Sequence, residues 1–178
     1  RKITEGVARL NRIVSSLLTY TRPLQLNSHP VRFAELVEET IAFFEIGLER
    51  AHKNINVERH FPEADLVCRM DPEQFQQVIL NVLQNATQAM PEGGTIDATV
   101  DTAETPSGST AMLCISDTGV GMSSEVRERL FTPFFTTKED GTGLGLVTSK
   151  KIIEAHGGFI AVESQPDQGT SFTISLPQ

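Results

Sequence analysis

Apolar positions recur at helical spacing in several stretches of the 178-residue chain. Near the start, Ile3, Val7, Leu10, Val14 and Leu17 follow steps of 4, 3, 4 and 3, a heptad rhythm that predicts a helix with a seam, stopped by Pro23. One such helix cannot bury its stripe alone, so the pattern predicts a partner helix, with packing onto the domain's own surface as the alternative. Residues 23–30 read as a linker, 33–50 as an amphipathic helix, and 55–61 and 66–70 as strands. Asp71-Pro72-Glu73-Gln74 is a helix start, with Asp as N-cap and Pro at the first helical position; that helix runs to about Met90. Strands at 95–101 and 112–117 flank a polar stretch, 102–110, that reads as a hairpin loop. Residues 119–141 carry no long period beyond a short helix at 124–130 and read as a mobile connection. A helix at 144–156 ends at Gly157-Gly158, and strands at 159–164 and 170–176 close the chain. No internal repeat is present. Strands in adjacent pairs separated by helices predict an α/β fold, a two-layer α/β sandwich with a mixed sheet behind one long N-terminal helix.

Composition narrows the function classes. Apolar residues at 39% can bury a core, and a net charge of −8 argues against general nucleic-acid binding. No apolar run approaches the ~20 residues of a membrane helix, so membrane attachment is expected only through parts outside this sequence. The first residues do not resemble a signal peptide and lack an initiator Met, which suggests a piece of a longer protein. Cys68 and Cys114 each lie in apolar surroundings outside any C-x-x-C; they read as buried, reduced thiols in a cytoplasmic setting, with a disulfide as the alternative.

Four constellations carry candidate chemistry. Asn81 and Asn85, four apart, share one helical face, and a carboxamide oxygen can ligate Mg²⁺; surface amides are the plainer reading. Asp117-Thr118-Gly119-Val120-Gly121-Met122 ends a strand with a carboxylate able to accept from an exocyclic amine, beside glycines that let a flat ring approach; an ordinary turn is the alternative. Gly141-Thr142-Gly143-Leu144-Gly145-Leu146 exposes amides at a helix N-terminus, suited to phosphate or, otherwise, to a hinge. Phe131, Phe134 and Phe135 in a polar loop either close over a ligand or pin the loop to the core, and Lys138 offers a point charge to a terminal phosphate or is simply solvated.

The order and spacing of these elements, with Gly169-Thr170-Ser171-Phe172 at the end, resemble the ATP-binding catalytic domain of two-component sensor histidine kinases, of the GHKL or Bergerat type. The resemblance covers about residues 31–177, and Asn85-Ala86-Thr87-Gln88-Ala89-Met90 resembles the nitrogen-sensor branch. Arg9 to Val14, with Leu17 and Leu18, resembles the second helix of the family's dimerisation hairpin. It implies a hairpin helix and linker at 1–27 and a catalytic domain at 28–178. It also implies Mg²⁺ at Asn85, with Asn81 placing the metal or its waters. Asp117 would hold the adenine amine, assisted by Gly121 and, through water, Thr170. Gly141, Gly143 and Gly145 would give amides to the phosphates, and Lys138 would reach the γ-phosphate. Gln88, Ala89, Gly119, Met122, Thr142, Leu144 and Leu146 would complete the nucleotide site, with Asn81 and Lys138 catalytic. Phe131, Phe134 and Phe135 would couple the lid to the hairpin. The cofactors implied are ATP and Mg²⁺. The partners implied are a dimerisation hairpin bearing the acceptor His, a response-regulator receiver domain, and a second copy in a full-length homodimer.

Two departures qualify this. Gln88 stands where many members carry Lys or Arg, which shifts weight onto Lys138. None of His29, His52, His60 and His156 precedes an acidic residue as the family's acceptor does, so all four read as structural or solvated, and self-phosphorylation is not expected. The rivals are an ATPase of the same superfamily, which would place a Glu at position 81, and an anti-sigma-type serine kinase, for which the first helix is not expected.

Overall fold

The computed structural model describes residues 14, 17, 18, 21, 23–62, 66–105, 108–138 and 141–178. Strand β1 (His29–Arg32) leads into helix α1 (Phe33–Arg50), followed by β2 (Ile55–His60), β3 (Val67–Met70) and α2 (Pro72–Ala89). The chain continues through β4 (Gly94–Thr105), β5 (Gly108–Asp117), α3 (Ser124–Arg129), α4 (Gly145–Ala155), β6 (Phe159–Ser164) and β7 (Thr170–Pro177).

Five strands form a mixed sheet in the order β2-β4-β5-β7-β6. The β2–β4 pair is parallel, with Ile55 opposite Gly94, and the other pairs are antiparallel. One face of this sheet is buried: Ile96, Ala98, Val100, Ala111, Leu113, Ile115, Phe172, Ile174 and Leu176 alternate with more exposed residues, as the two-residue period of a strand requires. Against it lie helix stripes at helical spacing, Phe33, Leu36, Val37 and Ile41 from α1 and Phe75, Val78, Ile79, Val82, Leu83 and Ala86 from α2. The Phe33 and Phe75 rings meet at 5.4 Å and join the two helices. The expected two-layer α/β sandwich with a mixed sheet is the observed fold.

Helix α2 begins as its sequence predicts. Asp71 is the N-cap, and its Oδ1 accepts from the Gln74 N–H at 3.1 Å. The same carboxylate accepts from the Asn27 N–H at 2.9 Å and so fixes the segment before β1. Burial opposes ionisation of Asp71, but the hydrogen bonds from the Asn27 and Gln74 amides outweigh it, and its pKa lies below the ordinary carboxylate value.

Several expectations need correction. Residues 102–105 and 108–110 are strand rather than loop: β4 and β5 run on as a ribbon with Glu104 opposite Ser109. Part of the 23–30 linker is strand, because β1 pairs antiparallel with β3, His29 opposite Met70. Cys68 is buried, and burial pushes its thiol up to about 11, whereas Cys114 is half-buried beside the Ser171 hydroxyl at 3.2 Å. Neither cysteine is in a disulfide. His156 is structural, as expected: its Nε2 accepts the Asp71 N–H at 2.9 Å and its Nδ1 donates to the Ile152 carbonyl at 2.7 Å. Of the N-terminal seam, Ile3, Val7 and Leu10 lie outside the described residues; Val14 and Leu17 are helical and exposed. Among the described residues, no helix is long and apolar enough to cross a membrane.

Candidate functional site

The buried stripe of α2 turns the opposite face of that helix, with Asn81, Gln84, Asn85 and Gln88, toward a cavity of about 440 Å³. The edge of the sheet supplies Asp117, at the end of β5, and Thr170, its register partner at the start of β7. The segment between β5 and α4 closes the space with Gly121, Met122, Lys138, Gly141, Thr142 and Gly143, and α4 adds Gly145 and Leu146.

Asp117 is 8% exposed. Its Oδ1 accepts the Gly119 N–H at 2.8 Å, which orients the carboxylate. Burial pushes its pKa above the ordinary value, against the amide hydrogen bonds from Gly119 and Thr170 and the charge of Lys138. Two glycines make this end of the sheet possible. A Cβ at Gly169, whose φ is +80°, would stand 1.8 Å from the Asp117 carbonyl oxygen, and one at Gly121, φ +63°, would stand 1.9 Å from that of Gln165. Ser164 completes the corner: its hydroxyl lies 2.9 Å from the Gly169 carbonyl and 3.0 Å from the Thr170 hydroxyl.

The loop before α4 is tied to the segment that precedes it. The Phe134 N–H donates to the Gly143 carbonyl at 3.0 Å, with Phe134 at φ +65° and Gly143 at φ +66°. Lys138 reaches back across the cavity: its Nζ donates to Asn85 Oδ1 at 2.7 Å and to Gln88 Oε1. Loss of water around the ammonium lowers the Lys138 pKa, and the negative charge of Asp117 opposes that shift. The cavity is therefore bounded by a buried carboxylate at one end and an ammonium beside neutral oxygens at the other.

Most residues singled out in the sequence line this one cavity: Asn81, Asn85, Gln88, Ala89, Asp117, Gly121, Met122, Lys138, Gly141, Thr142, Gly143, Gly145, Leu146 and Thr170. Gly119 and Leu144 do not. Gly119 acts through its amide on Asp117, and Leu144, 1% exposed, is an anchor in the core. The three phenylalanines separate. Phe135 lines the cavity with the Arg129 guanidinium 4.2 Å from its ring centre; Phe131 packs against the core under the Lys150 ammonium; Phe134 is 58% exposed. The sequence reading missed Gln84, Val120, Val126, Leu130, Thr136, Thr137 and Phe172 in the wall. Gln84 was within reach, since it follows Asn81 by three on the same helical face. Among the described residues, Glu58, His60 and Asp97 form a separate exposed cluster on β2 and β4, and none of them lines the cavity.

Residues 70–178 match the model of the histidine kinase-, DNA gyrase B- and HSP90-like ATPase family. The chain belongs to that family. The sensor histidine kinase ZraS of Klebsiella oxytoca is 38% identical over 171 residues, which cover 95% of this chain and 36% of ZraS. The catalytic domain of histidine kinase ThkA shares the fold with a TM-score of 0.73 and 33% identity, covering 85% of this chain and 95% of that domain. ThkA in complex with its response regulator TrrA gives a TM-score of 0.80 at 31% identity over 98% of this chain and 49% of the kinase. The five-stranded sheet with its helices is thus the ATP-binding domain architecture of the sensor histidine kinases. The chain spans about a third of the length of the ZraS relative, and these relatives do not single out a nitrogen-sensor branch.

Proposed function

We propose that the cavity binds Mg²⁺-ATP and that the domain transfers the γ-phosphoryl group to a histidine on a dimerisation hairpin, for onward transfer to an aspartate of a response-regulator receiver domain. The observation that carries this reading is the convergence of Asp117, Asn85, Lys138 and the glycine loop on one cavity. Asp117, oriented by the Gly119 amide, accepts from the adenine amine, with Gly121 and Thr170 beside it. Gly143 and Gly145 offer backbone amides near the start of α4 to the phosphates, where the helix dipole favours negative charge, and the Gly141 N–H, which donates to the Lys138 carbonyl at 3.2 Å, joins them once that turn opens. Lys138 brings its charge to the terminal phosphate.

Mg²⁺ fits the donor set. Asn85 Oδ1 and Gln88 Oε1 are neutral oxygens already turned toward a cation, the Lys138 ammonium, and hard cations take oxygen ligands. Asn85 would hold the ion and Asn81 would help place it; when bound, it supplies charge neutralisation at the phosphates. Phosphoryl transfer depends mainly on positioning and charge, so a domain without its own nucleophile suffices. The acceptor hairpin, the homodimer built on it and a cytoplasmic setting belong to this reading, as does the division into 1–27 and 28–178.

Asn81 also weighs against the ATPase alternative. Its amide donates to the Ser149 hydroxyl at 2.9 Å and cannot take a proton from water as a carboxylate would. Calorimetric titration with ATP tests the nucleotide reading: one site is expected, tighter with Mg²⁺ than with EDTA, and Asn85→Ala should remove that difference. Equal affinity with and without Mg²⁺ in the unmodified chain would count against it.

A further inference from the structure

Asn81 and Ser149 meet across the seam between α2 and α4. Ser149 is 2% exposed, and its Oγ accepts from Asn81 Nδ2 at 2.9 Å. It shares the buried face of α4 with Ile152 and Ile153, where a hydroxyl costs free energy unless it is hydrogen-bonded. Gly145 and Ser149 are four residues apart, one turn above each other on α4. A Cβ at residue 145 would stand 2.5 Å from Asn81 Oδ1, so glycine leaves room for that oxygen. The Asn81 carboxamide therefore spans the first turn of α4, its nitrogen at Ser149 and its oxygen at Gly145. That turn carries the amides left without intrahelical partners. On α2, Asn81 lies one turn from Asn85. Asn81 and Gly145 also line both the 440 Å³ cavity and an open cleft of about 620 Å³ between α2 and α4. Ser149 lines only the cleft.

We propose that Ser149 is a positioning residue for phosphoryl transfer, acting through Asn81. It fixes one carboxamide orientation and so joins the metal-binding face of α2 to the phosphate loop of α4. This rests on the role given to Asn81 above. Ser149 lies outside the 440 Å³ cavity, and ATP binding is assigned to Asp117, the loop amides, Lys138 and the Asn85 metal site, so its loss acts mainly on rate. Partners that orient metal-site residues from behind typically carry 10- to 100-fold in activity or metal affinity.

The test combines transfer kinetics with nuclear magnetic resonance of the Asn81 side-chain amide. It uses this chain, γ-labelled ATP and a histidine-bearing hairpin supplied separately. Ser149→Ala is expected to slow transfer about tenfold while the ATP dissociation constant stays within about twofold. Asn81→Ala should slow transfer at least as much, and the double variant no more than Asn81→Ala alone. The Asn81 amide protons should exchange with water faster in Ser149→Ala. Wild-type transfer rate in Ser149→Ala, or losses that multiply in the double variant, would overturn the proposal. An unchanged rate in Asn81→Ala would overturn it by removing the role of Asn81. No transfer by the unmodified chain would instead refute the kinase reading, and the amide exchange would still decide whether Ser149 holds Asn81.

Discussion

The Lys138 ammonium donates to Asn85 Oδ1 at 2.7 Å, joining two residues 53 positions apart and fastening the segment before α4 onto the C-terminal part of α2. One cation thereby links the segment that closes the cavity to the helix that carries the candidate metal ligand. Lys138→Ala removes that tie and the positive charge facing the phosphates. Hydrogen bonds to charged groups contribute roughly 1.5–3 kcal/mol, so ATP affinity should fall about tenfold or more. Hydrogen exchange of residues 130–138 should quicken, while the melting temperature should change little, because Lys138 lies in a surface segment outside the hydrophobic core.

Asp117 separates function from stability. Its folded pKa is raised, so the ionised carboxylate is less favourable in the folded chain than in the unfolded one. A raised folded pKa contributes stability below the unfolded pKa that is lost as pH rises through the folded value. Asp117→Asn should therefore melt at or above the unmodified chain at pH 7 while losing most of its ATP affinity. In the unmodified chain, ATP affinity should fall on acidification at a higher pH than an ordinary aspartate would give. Calorimetry across pH and thermal melts of both chains check these outcomes.

Asp71 has the opposite sign. Its folded pKa is lowered, so its stabilisation is present above the unfolded pKa, ordinarily near ~3.9, and is lost as pH falls through the folded value. Asp71→Ala removes an N-cap and the Asn27 contact together and should cost about 1–2 kcal/mol at neutral pH. Urea denaturation at pH 7 and again near pH 3 should show that deficit shrinking on acidification.

Gly169→Ala should be among the most damaging single substitutions near the cavity. The residue sits at φ +80°, and the added carbon would lie 1.8 Å from the Asp117 carbonyl oxygen, so backbone must move. Strain at such a position costs about 1–3 kcal/mol before the clash is counted. A lowered melting temperature and a parallel loss of ATP affinity are expected, because the displaced strand end is the one that carries Asp117.

Local signals in the sequence were reliable where local physics decides. Asp71, Pro72 and Gln74 start α2 as their order implies, and Gly157, at φ +74°, follows the end of α4. Gly121, Gly141, Gly143 and Gly145, with Asn85 and Asp117, reach one cavity because each sits near the end or on one face of an element that periodicity locates. What escaped depends on distant partners. Strand β1 contains His29 and Pro30, poor strand material by composition, and exists through its pairing with β3. Residues 102–105 and 108–110 are mostly polar, so hydropathy could not show that they form a two-stranded ribbon. Val126 in the cavity wall and the Ser149 hydroxyl against Asn81 carry no pattern at all; tertiary packing puts them there.

In the proposed function the domain hands the γ-phosphoryl group to a histidine outside itself. The most direct measurement mixes this chain with γ-labelled ATP, Mg²⁺ and a helical hairpin bearing the acceptor histidine. Label is expected on the hairpin, labile to acid and stable to base. Label released only as free phosphate would contradict it and make the chain an ATPase.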